Sequence, residues 1–477
     1  MLLQHWINDC NIKHVCRPKD PVLPKRLIDL SATKNPGILK LDCSKDRSDS
    51  NYAALSHRWG DPNLHREFRL QKDNLSQWQR QLELKKLPKT FRDAVTITRM
   101  LGIRYLWIDS LCIVQNSIED WRAECQKMEE VFSSAYVTLS ATCSNGTSDG
   151  FLKPHPEEGP KARTYSPINV PTANGRSSRV YICNAIDDFK RDVEEAELST
   201  RGWVFQERAL SRRVLHFTDT QMYWECGKGV RCETMMRMYN RKSSFLSDPN
   251  FPESMASHYK GMRIIFFENI YEKYSQLSFT YWRDRAVALA GIERRLARVY
   301  ATRARYGILD HSDRSYLRRS LLWQRAVSDA APREQHSLPK IEFGAGQEVP
   351  SWSWMAVMGA IEYMPVPFDV VDWDASLKWV SESEKREELV GRAKDADGSG
   401  NIEGIIWDRP EESERENLRM VIVGTERTYG VGDVSKHYVI VVASIPGPSG
   451  VVWERVGVGA VVKEPGWIEG LTWIRVE

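Results

Sequence analysis

In the first half of the chain the apolar positions fall into short runs that end in small or polar residues. Tyr52-Ala-Ala-Leu-Ser56 runs into His57-Arg-Trp-Gly-Asp61, and Leu106-Trp-Ile108 runs into Asp109. A buried parallel strand looks like this when its C-terminal end opens into a functional loop. Between the two runs, Pro88 predicts a helix start at its first position. Phe91, Ala94, Val95, Ile97 and Met100 then recur close to the helical period, and Gly102 predicts the stop. A strand over 105–108 follows. Ser117-Ile-Glu-Asp120 has the character of a cap, and a helix over 121–133 carries Trp121, Cys125, Met128, Val131 and Phe132 on one face. The next strand is 136–141. This β-α-β-α-β order with short loops predicts an α/β fold, a parallel sheet flanked by helices.

The rest of the chain changes texture. Residues 1–50 read as an entry segment and 51–226 as the α/β domain. An insertion over about 144–200 is rich in Gly, Pro, Ser and charge, with one strand at 179–183. The domain resumes with 201–213 and a strand at 214–217. Residues 227–345 read as mainly helical, with amphipathic helices over 259–274 and 283–300. Residues 346–477 read as β-rich: Trp352, Trp354, 421–423, 438–443 and 456–462 suggest short strands between Gly/Pro turns. The charged stretch 381–417 is expected to be a mobile loop. No internal repeat is evident.

A chain of 477 residues predicts two or three domains, and 42% apolar content fills real cores. The 67 basic and 64 acidic residues nearly cancel, and no zinc-finger, RNP or basic-zipper pattern appears, so nothing calls for nucleic acid. The apolar runs fall short of the ~20 residues of a membrane span. The first residues lack a basic region and a long apolar run, so no secretory signal is read. Nine dispersed cysteines then read as reduced thiols in a cytoplasmic protein.

Several local patterns invite chemistry and are set aside. Cys10, His14 and Cys16 suggest zinc, but their spacing fits no standard finger and the sequence shows no fourth ligand nearby, so no metal is assigned. The run from Asp395 to Glu403 begins like a calcium loop, yet Ile406 stands where a bidentate Glu is required. Cys112 follows Asp109 at a strand end but has no local His, so it reads as a buried thiol. No Walker-type phosphate loop is present.

Three blocks remain: Tyr52–Asp61, Leu106-Trp-Ile-Asp-Ser-Leu-Cys-Ile-Val-Gln115 and Arg201-Gly-Trp-Val-Phe-Gln-Glu207. In this order they closely resemble the fungal heterokaryon-incompatibility (HET) domain, with Met128, Phe132 and Ala135 matching the stretch between them. The resemblance covers about residues 50–210. It departs at His57-Arg58, where the family more often has an aromatic and a small residue. HET domains are more remotely similar to Toll/interleukin-1 receptor (TIR) domains. There, a first strand ends in Ser, as at Ser56, and a second in Ile-Asp, as at Ile108-Asp109. A glutamate lies four residues after a Trp, as Glu207 does after Trp203.

The resemblance implies a TIR-like parallel sheet and an intracellular effector of fungal non-self recognition and programmed cell death. Its analogy to enzymatic TIR domains implies an NAD glycohydrolase site, with NAD as substrate rather than cofactor and Glu207 as the essential carboxylate. Such a carboxylate stabilises the oxocarbenium-like ribosyl cation. Arg58 or Arg201 would bind the pyrophosphate, and Trp59 or Trp203 would stack on a ring. Ser56, Gly60, Asp109 and Gln206 complete the expected substrate-binding set. The bland readings stand beside these. Trp203 can be core packing, and Arg201 can pair with Asp109 or Glu207 to hold the fold. The run from Arg208 to Arg213 already offers three arginines for surface pairing. A non-enzymatic module that self-associates or binds a protein partner or sensor is the alternative.

Overall fold

The computed structural model describes residues 2–14, 16–18, 20–44, 47, 49–61, 63, 66–153, 165–172, 174–183, 187–238, 257–311, 313, 315–326, 337–344, 349–383, 386–396, 403–427, 434–447, 450–464 and 466–477. It divides into two compact units, Met1–Phe251 and Pro252–Glu477.

The first unit opens with helix α1 (Leu2–Lys13) and strands β1 (Leu27–Asp29) and β2 (Ile38–Asp42). Then come β3 (Tyr52–Ser56), α2 (Leu75–Arg80), β4 (Leu82–Glu83), α3 (Lys89–Met100) and β5 (Tyr105–Trp107). Short helices α4 (Asp109–Cys112), α5 (Ile118–Cys125) and α6 (Met128–Ser134) lead to β6 (Val137–Ser140). A hairpin of β7 (Tyr165–Pro171) and β8 (Ser177–Cys183) precedes α7 (Gly202–Leu210) and β9 (Arg213–Phe217). The unit closes with β10 (Met222–Cys226), β11 (Gly229–Cys232) and β12 (Arg237–Met238).

One sheet gathers these strands in the order β12-β11-β10-β9-β6-β3-β5-β1-β2-β4, with β7–β8 apart from it. Its centre, β5-β3-β6-β9, is parallel. Both flanks are antiparallel. The wholly parallel sheet expected from the sequence is thus a mixed one. The reason is connection length: β9, β10 and β11 follow one another through turns of a few residues, and such turns can join only antiparallel neighbours. The central strands bury Tyr52, Ala53, Ala54, Leu106, Val137, Leu139 and Leu215 almost completely, as strands covered on both faces must.

Counted along the chain, the parallel strands lie in the order 2-1-3-4. The chain leaves β3 for β5 on one side, then returns past β3 to β6 on the other. This reversal is the topological switch point of a doubly wound sheet, where a crevice opens at the carboxyl ends of the strands.

Local departures have local causes. Pro88 caps α3 rather than starting it. The helix expected over 121–133 is two helices, divided at Gln126-Lys127. Ser117 caps the first, its hydroxyl accepting from the Asp120 N–H.

The second unit holds helices α8 (Lys260–Ser275), α9 (Ala290–Tyr300) and α10 (Ser315–Leu321). Residues 283–300, expected as one helix, begin with a 3-10 turn, and the helix proper starts at Ala290. The β-rich part contains β13 (Arg386–Asp395), β14 (Leu418–Glu426), β15 (Ser435–Gly447), β16 (Gly450–Lys463) and β17 (Thr472–Val476). These five pair in a ring, β13-β14-β15-β16-β17 and back to β13, so the sheet closes on itself and protects its edges. Trp323, Trp352 and Trp354 are fully buried, the last two in a turn and a 3-10 helix rather than in strands.

The stretch 381–417, expected to be a mobile loop, contributes β13 instead. Three charges of β13 are paired: Glu387 with Arg303 and Arg305, Glu388 with Arg475, and Arg392 with Asp374. Leu389 and Ala393 alternate into the core between them. The centre of the calcium-like run, 397–402, lies outside the described residues. No described helix is long and apolar enough to cross a membrane.

Candidate functional site

Ser56 is the last residue of β3, and Asp109 opens α4 two residues past the end of β5. Both therefore sit at the carboxyl edge of the parallel centre, on the side where the switch point lies. Glu207 approaches from α7, whose N-cap residue is Arg201. Four residues separated by up to about 150 positions thus meet in one neighbourhood.

Glu207 is buried at 9% exposure, and its environment is uneven. Burial pushes its carboxyl up to about 7. The facing Ser56 hydroxyl pulls down, the nearby Asp109 charge pushes up again, and Arg201 pulls down. These contacts do not fully satisfy the carboxylate: neither Glu207 Oε2 nor Ser56 Oγ has a hydrogen bond of good geometry. The Glu207 backbone carbonyl, in contrast, accepts from the Ser211 hydroxyl at 2.6 Å, which fixes the end of the helix.

Asp109 is held from several sides. Trp59 donates its indole N–H to Oδ2 at 2.8 Å, and the Ser110 N–H donates to Oδ1 at 2.7 Å. His57 Nδ1 lies 4.0 Å from Oδ1. The Asp109 side chain keeps 28% exposure, so this carboxylate forms an open side of the cluster. Arg201 does not pair with an acid among the described residues. Its Nη1 donates to the His57 carbonyl at 3.0 Å, tying the start of α7 to the loop after β3. Gln206 is buried on the same helix.

Other expected binding residues have different employment. Arg58 forms an ion pair with Glu197 at 2.6 Å. Trp203 is half-buried and meets Trp121 edge-on, with ring centroids 6.5 Å apart. The Trp59 ring lies 5.3 Å from the Arg69 guanidinium, so one of its faces already has a cation. Cys112 stays a buried thiol, pushed up to about 12 by desolvation.

Gly60 has a purpose the sequence leaves open. Its φ is +76°, and a Cβ there would lie 2.8 Å from Gly146 Cα. The loops after β3 and β6 therefore touch backbone to backbone across the switch point. Gly60 is required there by its φ and by the close approach, while a Cβ at Gly146 would meet Gly60 Cα at 3.1 Å, a tight contact. The Thr147 N–H donates to the Trp59 carbonyl at 3.3 Å. Thr90, at the start of α3, donates to the Gly146 carbonyl at 2.9 Å. Sequence reading missed this loop by placing 144–153 in an insertion. The Asn-Gly pair at Asn145-Gly146 was the available signal.

The arginines after Glu207 are also corrected. Arg208 and Arg213 are buried at 8% and 1% exposure, not paired on the surface. Arg208 makes a bidentate bond to Glu225, 2.8 Å on each arm, and His216 Nε2 lies 2.9 Å from the same carboxylate.

The family model described as Heterokaryon incompatibility protein (HET) matches residues 52–207, from the start of β3 to Glu207 itself. No curated protein and no solved structure matches the chain. The match points to a function in heterokaryon incompatibility. Residues 52–207, the segment that carries the cluster, are thus similar to the heterokaryon-incompatibility (HET) family over about a third of the chain.

Proposed function

We propose that this protein is a cytoplasmic effector of fungal non-self recognition and programmed cell death, and that its HET domain cleaves NAD at the Glu207 cluster in the manner of enzymatic TIR domains. One observation carries the reading: a buried carboxyl raised to about 7 stands at the switch point, facing Ser56, Asp109 and Arg201. In the reaction the nicotinamide–ribose bond breaks and its electron pair leaves with nicotinamide. The ribosyl cation that remains lies against the Glu207 carboxylate, which in a dry site stabilises it far more than water does. Water then adds to the anomeric carbon and its proton passes to solvent, giving ADP-ribose.

A second reading rests on the burial itself. Ser56, Gln206 and Glu207 are enclosed, and Arg58 and Arg201 already have partners. A non-enzymatic module that self-associates or docks a protein partner would use the cluster only to shape its loops. Incubating the full-length protein with NAD and measuring nicotinamide by chromatography separates the two. The enzymatic reading expects turnover that falls on the order of 10²–10³-fold in Glu207→Gln. A folded wild-type chain that kills cells yet releases no nicotinamide leaves only the second reading.

A further inference from the structure

The first unit carries another cluster at the opposite end of its sheet. Cys226 ends β10 and pairs in register with Arg213, the first residue of β9. The motif loops lie at the other end of β9, beyond the register of Ser140 with His216. Cys10 and His14 lie one helical turn apart, linked by the His14 N–H to the Cys10 carbonyl at 3.0 Å, and so share a face. Cys16 follows on the same segment. The sequence offered these three no fourth partner; the fold supplies Cys226, 210 residues beyond Cys16.

The four ligand atoms all lie within 4.8 Å of one another, and the three thiols are almost fully buried. Cys226 Sγ is 3.5 Å from His14 Nδ1. We propose that Cys10, His14, Cys16 and Cys226 form a structural zinc site. Tetrahedral zinc with its usual Zn–S and Zn–N lengths sets ligand atoms roughly 3.5–3.8 Å apart, so shifts of about an ångström close the cage. Three sulfurs and one imidazole suit Zn²⁺; calcium and magnesium require oxygens, and an iron–sulfur cluster takes four such ligands from cysteine in most proteins.

Two surrounding features fit a bound ion. The Lys228 N–H lies in the tight turn after Cys226 and acts on its sulfur, a position suited to the outer contact that orients a thiolate ligand. Arg213 is a buried cation with no carboxylate partner among the described residues. Its Nη2 donates to Asn11 at 2.7 Å and its guanidinium lies over Tyr136, but Nε and Nη1 have no partner. Its charge acts on Cys10 and Cys16. Zinc binding releases three thiol protons to solvent, and Zn²⁺ with three thiolates and a neutral imidazole carries one net negative charge. Arg213 balances it. The ion would pin α1 to the β10–β11 turn, fastening the start of the chain to the sheet flank.

The test uses the full-length chain purified without chelator or metal-affinity tag. Elemental analysis by plasma mass spectrometry should give about one zinc per chain, and X-ray absorption should show a sulfur-rich shell with one nitrogen donor. Cys226→Ser should lower the zinc content several-fold. The wild-type absorption spectrum decides the matter should that variant fail to fold. Folded wild-type protein that takes up no zinc after reduction and incubation with equimolar Zn²⁺ overturns the proposal. So does a disulfide among the three cysteines found by mass spectrometry in protein prepared under reducing conditions, or a zinc shell of oxygen and nitrogen alone.

Discussion

Glu207 and Arg208 are neighbours on α7, yet they open onto two differently built interiors. Arg208 points to Glu225 and His216, where every charged arm meets a partner at 2.8–2.9 Å. Burial alone would raise the Glu225 carboxyl, but Arg208 and His216 outweigh it and hold it at about 2. Glu207 has the same burial without that company. Its partners are a hydroxyl, a nearby like charge and an arginine committed to a backbone carbonyl, and its carboxyl rises to about 7. The first arrangement fixes α7 to the β9–β10 pair. The second keeps a carboxyl in an unsatisfied state, which costs stability and persists only where the surroundings impose it. A buried acid alone therefore identifies nothing; the state of its partners separates a fold-holding pair from a poised group.

The largest test breaks the satisfied side. Glu225→Ala takes from the buried Arg208 its bidentate carboxylate and leaves Glu194 3.8 Å away. The expected loss is about 3–5 kcal/mol of stability in the first unit. That is a large share of what a domain has. Denaturant unfolding read by limited proteolysis of that unit should show it. An unchanged midpoint would mean that the pair is not structural.

The two acids also predict opposite responses to pH. The Glu225 contribution is present above the ordinary glutamate value and is lost as pH falls toward about 2. Glu207 works the other way. Folding favours its protonated form, so stability falls as pH rises from about 4.5 to about 7 and is flat beyond. Glu207→Gln should remove that slope, raising stability by about 3 kcal/mol at pH 8 with no gain near pH 4. Melting temperatures of wild type and variant across that range measure it. A Glu207→Gln chain less stable than wild type at pH 8 would show that the carboxylate is satisfied after all. If the ionised form stabilises the ribosyl cation, nicotinamide release should rise with pH and level off above about 7.

The parallel centre was legible in the sequence because its strands are apolar runs that end abruptly in Ser56 and Asp109, a pattern that burial on both faces dictates. The sheet flanks were not, since β1, β4 and β12 are two or three residues long and take their form from the neighbour they pair with. The motif residues could be named, but their partners could not. Arg58 meets Glu197, and Arg201 meets a carbonyl, through chain geometry that no local pattern encodes. Cys226 is the extreme case: nothing around it resembles a ligand motif, and only the fold returns it to Cys10. The helix break at Gln126-Lys127 has no breaker residue to announce it.

A smaller effect isolates the contact across the switch point. Gly60 and Gly102 have almost the same backbone, φ +76° and +74°, but a Cβ at Gly102 meets nothing within 4 Å while one at Gly60 meets the Gly146 backbone. Both Ala substitutions carry the strain of a left-handed residue, about 1 kcal/mol. Gly60→Ala should cost a further ~1–2 kcal/mol because backbone must move. It should also raise hydrogen exchange at the Thr147 amide. Equal losses at the two sites would mean that the β3 and β6 loops are not locked together.

The smallest expected effect on stability is the most informative about chemistry. Arg58 pairs with Glu197, whose side chain keeps 62% exposure, and solvent screens such a pair. Arg58→Ala should therefore change stability by less than about 1 kcal/mol. Under the NAD reading the same arginine exchanges Glu197 for the pyrophosphate, an interaction made equally in the ground and transition states. Its removal should raise KM several-fold and leave kcat nearly unchanged. Glu197→Ala then serves as the counterpart: it frees Arg58, so KM should stay level or fall. A KM unmoved in Arg58→Ala would assign this arginine to the surface pair alone. The pyrophosphate role would then pass to Arg201, whose hold on the His57 carbonyl already sets the start of α7 beside Glu207.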